Sequence, residues 1–285
     1  MVDVNPTVGI VGLGTMGRGI ARLCLGKGYE TAILGHTPES SKKGLSRLTK
    51  ELRARLDKGK ISREEFDSMV SRITLVSDTH ELSNAEMVIE AIYEDSKAKR
   101  ELYQLLEPSL PGSTILASNT SSISIEELSG NLKHPSRFIG LHFFNPPEVM
   151  KLVEVRRCSR TDDATATAAC GFARNLGKSP IIVPDLPGLY VNRILFPMLL
   201  ESISVLETTD SPVAEIDEAM KLGANIPMGP LELCDFIGND IVLSISNVLL
   251  SHTGDLRFKP PRLLELMVKE GKLGRKSGRG FYEYK

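Results

Sequence analysis

A single histidine leaves an apolar run in Gly140-Leu141-His142-Phe143-Phe144-Asn145-Pro146-Pro147, and a single glutamate stands inside the next one, Met150-Lys151-Leu152-Val153-Glu154-Val155. A neutral imidazole, with an ordinary pKa of roughly 6.5, can take a proton from an alcohol near neutral pH. His142 is therefore the candidate general base for a reaction in which a hydroxyl is deprotonated as hydride leaves its carbon. A carboxylate among apolar residues is costly unless it is paired. If the two runs are neighbouring strands, Glu154 can accept from one ring nitrogen, fix the tautomer and stabilise the imidazolium. From the residues alone, the two can equally be a structural pair.

The second chemical signal is Gly12-Leu13-Gly14-Thr15-Met16-Gly17, which follows the apolar run Val8 to Val11 and opens the helical pattern Ile20, Leu23, Cys24. Glycines at this spacing let the chain turn tightly, admit a pyrophosphate to the backbone and bring the helix close to the sheet. Gly12, Gly14 and Gly17, with Thr15 and Met16 at the helix start, are the expected dinucleotide contacts. No lysine of the P-loop kind follows. The acid that usually grips the adenosine ribose at the end of the second strand should stand where Gly35 and His36 are found. NAD is the expected cofactor. Without that acid the repulsion of a 2′-phosphate is gone, and His36, Thr37, Ser41 or Lys42 can hydrogen-bond one, so NADP is the alternative.

These residues require elements to carry them. Strands are expected at Val8 to Val11, Thr31 to Leu34, Ile73 to Val76, Met87 to Ile92, Thr114 to Ala117 and Phe138 to Phe144, with helical patterns between most of them. Pro38 to Gly59 reads as a long exposed helix, and Ser62 with Glu65 as the capping box of another. Leu152 to Val155 and Pro180 to Val183 should extend the sheet. Turn formers cluster at Pro184-Asp185-Leu186-Pro187-Gly188, and only helices are expected beyond: Leu189 to Glu207, Val213 to Leu222, Leu231 to Leu250 and Arg262 to Glu270. The fold class is α/β: a Rossmann-type doubly wound sheet over 1-184, followed by a smaller all-α domain over 185-285.

Composition excludes other classes. In 285 residues, 41% are hydrophobic and 25% charged, an ordinary globular balance. A formal net charge of -1 offers no general field for nucleic acid or an anionic membrane, and neither is an expected partner. No apolar run reaches membrane-spanning length, and Met1-Val2-Asp3-Val4 lacks the start of a signal peptide, so a cytoplasmic location is expected. Cys24, Cys158, Cys170 and Cys234 are far apart and have no histidine at ligand spacing; they are expected as buried reduced thiols, with no metal site.

His142-Phe143-Phe144-Asn145-Pro146 and Lys151-Leu152-Val153-Glu154-Val155 together resemble the signature of 3-hydroxyacyl-CoA dehydrogenases. Ala117-Ser118-Asn119-Thr120-Ser121-Ser122, Val191-Asn192-Arg193, Met220-Lys221-Leu222-Gly223-Ala224, Met228-Gly229-Pro230-Leu231-Glu232 and Leu273-Gly274-Arg275-Lys276-Ser277-Gly278 are similar to that family too, over nearly the whole chain. The short bacterial 3-hydroxybutyryl-CoA enzymes are the most similar. The resemblance implies that His142 is the base, Glu154 its orienting partner, and Ser121 and Asn192 the contacts to substrate oxygens. It places Glu94, Lys99, Asn119, Asn145 and Lys276 near the dinucleotide, and Lys42 and Lys43 near coenzyme A phosphates. It also implies an acyl-CoA substrate and a homodimer. β-Hydroxyacid dehydrogenases open with a similar glycine turn but use a lysine motif that is absent here. A gulonate-type dehydrogenase and a non-catalytic dinucleotide-binding protein are the remaining alternatives.

Overall fold

Short apolar runs alternating with amphipathic stretches give a layered α/β unit, in which each strand hands the chain to a helix that covers one sheet face. The computed structural model describes residues 6-284, so the Met1-Val4 segment read for a leader lies outside the described residues. In chain order come β1 (Thr7–Val11), α1 (Thr15–Gly26), β2 (Glu30–Leu34), α2 (Pro38–Asp57), α3 (Arg63–Ser71), β3 (Ile73–Leu75), β4 (Ala85–Glu90), α4 (Ser96–Leu106), β5 (Ile115–Ser118), α5 (Ile125–Leu128), β6 (Phe138–Phe143), β7 (Leu152–Arg156), α6 (Asp163–Asn175) and β8 (Ser179–Val183). The sheet order is β3-β2-β1-β4-β5-β6-β7-β8. Every neighbouring pair is parallel except β6 and β7.

Strand order reverses between β1 and β4, the topological switch point where α/β sheets open a ligand crevice beyond their carboxyl ends. Side chains that alternate along the strands fill both faces. Ile10, Ile33, Ile139 and Phe143 pack with Ile20, Cys24 and Leu48 on one side. Val11, Leu34, Val88 and Phe138 pack with Tyr103 and Leu106 on the other. Two capping boxes set the starts of the helices after β2: Thr37 with Ser40 for α2, and Ser62 with Glu65 for α3.

The chain divides into Met1–Leu186 and Pro187–Lys285, inside the turn-rich segment. The second unit holds α7 (Val191–Thr208), α8 (Val213–Ala224), α9 (Pro230–Ile237), α10 (Asn239–Thr253) and α11 (Arg262–Lys269) around Phe196, Leu199, Ile203, Leu231, Val242, Leu249 and Phe258. The single helix expected over Leu231 to Leu250 is two, α9 and α10, bent by 96°. Gly238 makes the break: its φ of 106° is open to glycine, and its N–H caps α9 on the Cys234 carbonyl at 2.8 Å. Asn239 then braces the corner by donating from Nδ2 to Asp235 Oδ1 at 2.9 Å and to the Lys272 carbonyl at 3.0 Å. All four cysteines are buried and free; burial pushes the Cys24 thiol up to about 12, where it carries no nucleophilic role.

Candidate active site

The turn after β1 is shaped residue by residue for a phosphate chain. Gly12 has a φ of 96°, and a Cβ there would lie 2.6 Å from the Ala91 carbonyl oxygen. At Gly17 a Cβ would lie 1.8 Å from the Gly12 carbonyl oxygen, so only glycine lets α1 pack this close. Gly14 is different: a Cβ there would meet nothing within 4 Å, leaving its backbone open to a ligand. Thr15 and Met16 begin α1 beside it. A cavity of about 740 Å³ runs over the switch point, lined by Gly12, Gly14 and Gly35 and, across from them, by Ala91, Ile92 and Tyr93. Open backbone at Gly14 beside a cavity of this size fits a dinucleotide, whose phosphates would meet the N-terminus of α1.

His142 and Glu154 face each other directly in the antiparallel register of β6 and β7. Nδ1 of His142 and Oε2 of Glu154 are 2.9 Å apart. Both are buried, at 7% and 1% exposure. A carboxylate partner makes Nδ1 the protonated nitrogen and leaves Nε2 as the acceptor; Nε2 makes no hydrogen bond among the described residues. The Phe144 ring packs on the imidazole with centroids 4.5 Å apart, fixing its plane. Beyond it, Asn145 is exposed at a cis Asn145-Pro146 bond.

Ser121 stands on the loop after β5, and that loop is clamped from several directions. Glu94 Oε1 accepts from the Ser121 N–H at 3.0 Å, the Ser122 N–H at 3.1 Å and the Ser122 hydroxyl at 2.9 Å, and also from Thr120 Oγ1. Partial burial tends to raise the Glu94 carboxyl, but the Lys99 ammonium and the hydrogen bonds from Thr120 and Ser122 outweigh it and hold the group below its ordinary value. From beneath, Arg156 donates from Nη2 to the Thr120 carbonyl at 2.6 Å and from Nη1 to the Ile123 carbonyl at 3.0 Å. Burial pulls that guanidinium below its usual range, while Asp185, Glu94 and Glu154 push back. Asp185 completes the clamp, accepting from Ser124 Oγ at 2.6 Å and the Glu126 N–H at 2.8 Å. Asn119 ties the same loop to β6 by accepting from the Phe143 N–H at 3.0 Å.

Some expected contacts lie elsewhere. Lys99 does not line the cavity: it is 1% exposed, its ammonium held by Glu90 at 2.6 Å and Glu94 at 3.4 Å. It stands behind Glu94, because α4 turns its inner face to a carboxylate at the end of β4. Lys43 lines the glycine-turn cavity, and Lys42 a smaller adjoining one of about 150 Å³ with Gly35 and His36. Both lysines thus border the cavities around Gly35 and His36. The cause is local: Gly44 lets α2 press onto Leu13, where a Cβ would come within 2.4 Å of the Leu13 side chain. Asn192 is in the helical unit near the start of α7, and Lys276 in that unit pairs with Asp240.

Three groups escaped the sequence reading. Glu90, fully buried, accepts from Lys99 at 2.6 Å, Tyr103 OH at 2.6 Å, Ser118 Oγ at 2.7 Å and the Ile92 N–H at 2.7 Å. Arg156 and Asp185 are the others. Glu90 and Arg156 are charged residues ending apolar strands, the same cue that singled out Glu154.

Comparison with known proteins agrees over the full length. Residues 7–186 match the model of the 3-hydroxyacyl-CoA dehydrogenase NAD binding domain, and residues 188–284 that of the 3-hydroxyacyl-CoA dehydrogenase C-terminal domain. A probable 3-hydroxybutyryl-CoA dehydrogenase of Bacillus subtilis is 46% identical over 276 residues, covering 96% of each chain. A 3-hydroxybutyryl-CoA dehydrogenase of Clostridioides difficile is 40% identical, covering 96% of this chain and 98% of its own. The crystal structure of (S)-3-hydroxybutyryl-CoA dehydrogenase from Ralstonia eutropha superposes with a TM-score of 0.90 at 40% identity, over 99% of this chain and 100% of the other. With both domain models matched end to end and the glycine turn and paired histidine in place, the chain belongs to the 3-hydroxyacyl-CoA dehydrogenase family.

Proposed function

We propose that this chain transfers hydride between (S)-3-hydroxyacyl-CoA and a nicotinamide dinucleotide, with 3-hydroxybutyryl-CoA and acetoacetyl-CoA as its substrate pair. The observation that carries the reading is the 2.9 Å contact between His142 Nδ1 and Glu154, which leaves Nε2 as the acceptor at the carboxyl end of β6. The relatives' names supply the acyl group. NAD and NADP are both candidate cofactors.

In the oxidising direction, Nε2 of His142 takes the hydroxyl proton of the substrate. Glu154 holds the opposite ring N–H and offsets the positive charge that then appears on a buried ring. Ser121, kept in place through its backbone N–H on Glu94, holds a substrate oxygen so that the reacting carbon is presented in one orientation, and the family resemblance gives Asn192 of the helical unit a like polar role. When bound, the dinucleotide supplies the hydride acceptor. In reduction the imidazolium returns its proton to the developing alkoxide.

The test follows nicotinamide absorbance during acetoacetyl-CoA reduction, with NADH and NADPH in parallel. Turnover with either is the expected result. No turnover with both, while a dinucleotide still binds, would turn the reading to a gulonate-type substrate or a non-catalytic binding protein. The same reading includes a cytoplasmic workplace and a homodimer formed by the helical unit. Apolar side chains left open there, Ile194 at 74%, Leu222 at 77% and Leu256 at 75% exposure, support self-association; light scattering should return twice the mass of one chain.

A further inference from the structure

We propose that the cavity over the switch point selects a dinucleotide bearing a 2′-phosphate, and that Lys43 and Arg47 on α2 are the residues that select it. The inference rests on the dehydrogenase reading only for the presence of a dinucleotide there. It begins with space. In dinucleotide-binding βαβ units a carboxylate after the second strand bonds the ribose hydroxyls and repels a phosphate. Here β2 ends at Leu34, and a Cβ at Gly35 would fall 2.6 Å from Ser41 Oγ, 2.7 Å from the Ser41 nitrogen and 2.8 Å from Ser40 Oγ. The Gly35 N–H donates to Ser41 Oγ at 2.8 Å, so strand end and helix start are locked together. A carboxylate cannot be carried at this position while α2 starts where it does. Its absence is built into the backbone.

Charge then fills the vacancy in function. The wall of the cavity next to Gly35 is made by His36, Ser40, Lys43 and Arg47. Lys43 and Arg47 are one helical turn apart on α2, so they share a face. Both are exposed, and neither forms an ion pair among the described residues. Glu51, one further turn along, is committed to Arg18 at 2.9 Å and to Arg22. The carboxylates that also line the cavity are Asp78 and Glu101. Asp78 accepts from the His80 N–H at 2.8 Å, and Glu101 lies on α4 with Leu102 and Leu105, 3.9 Å from Lys97. Two cations without an ion-pair partner among the described residues, beside a position that excludes the usual acid, favour a phosphate over a bare ribose hydroxyl through charge-assisted hydrogen bonds.

The experiment is equilibrium binding by calorimetry in the absence of acyl-CoA, comparing adenosine 2′,5′-bisphosphate with 5′-ADP and NADPH with NADH, for the wild type, Lys43→Gln and Arg47→Gln. The 2′-phosphorylated member of each pair should bind more tightly, by about tenfold or more, the worth of one charge-assisted contact. Each variant should lose about tenfold more affinity for NADPH than for NADH, and the NADPH affinity should fall more steeply with salt. Equal losses for the two dinucleotides would assign the cations to the shared pyrophosphate and overturn the proposal, as would tighter binding of NADH. Because no substrate is present, failure to turn over any acyl-CoA would defeat the proposed reaction and leave this result standing.

Discussion

Among the described residues of the first unit two carboxylates are buried, and their surroundings separate catalysis from architecture. Glu90, fully buried, is saturated by Lys99, Tyr103, Ser118 and the Ile92 N–H. Its charge is answered from every side, and desolvation with the adjacent carboxylate pushes Tyr103 well above its ordinary range, so that phenol stays a donor. Glu154, 1% exposed, faces a histidine whose other nitrogen is unengaged among the described residues. The first cluster has no vacancy through which a substrate can act; the second keeps one nitrogen for it. Burial and a partner are common to both, so neither alone marks a catalytic group. The open valence does.

The comparison can be broken by mutation. The largest effect is expected at His142: alanine should lower turnover by about 10²–10⁴-fold in the acetoacetyl-CoA assay while dinucleotide affinity holds; near-normal turnover would falsify its role as base. Glu90→Gln should act on the other axis. It leaves the Lys99 ammonium, in a site 1% exposed, with Glu94 at 3.4 Å as its remaining carboxylate, which costs about 1–3 kcal/mol, read as a lower urea midpoint, with turnover per folded molecule changed far less. Turnover lost at wild-type stability would move Glu90 into the machinery. Arg156→Met removes the donors beneath the Ser121 loop and leaves two carbonyls without them. A loss of about 1–3 kcal/mol is expected, together with a rise in KM for acetoacetyl-CoA as the loop loosens.

The smallest effect is the acid response of Glu94. Its folded carboxyl sits below the ordinary value of 4.5, so its contribution is present above that value and lost as pH falls through the folded range. Its side chain is 37% exposed, and solvent screening keeps the contribution small. Below pH 4.5 the urea midpoint should fall more steeply in the wild type than in Glu94→Gln; parallel curves would mean that the loop is held by other contacts.

Much of this was legible before the structure. Short apolar runs and turn formers located the strands, and the glycine spacing located the cradle, because both follow from burial and backbone sterics that the residue types reveal. The Leu231 to Leu250 helix was misread because periodicity continues through Gly238, whose φ of 106° breaks the helix. Gly238-Asn239-Asp240 was the available cue. The burial of Lys99 against Glu90 was not legible because that partner lies on another element; long-range pairing of this kind is set by sheet order, which spacing along the chain does not carry. Applying to Glu90 and Arg156 the reasoning that singled out Glu154, a charge in an apolar strand needs a partner, would have pointed to both.

The most direct measurement is a side-by-side comparison of kcat and urea midpoint for Glu154→Gln and the wild type. The amide keeps the shape of the side chain and removes the charge that holds the Nδ1 proton of His142. The expected result is kcat lower by about 10²-fold, the cost of a misoriented catalytic group, with the midpoint close to that of the wild type. Turnover close to the wild type with a large loss of stability would contradict it and place Glu154 with Glu90 among the structural carboxylates.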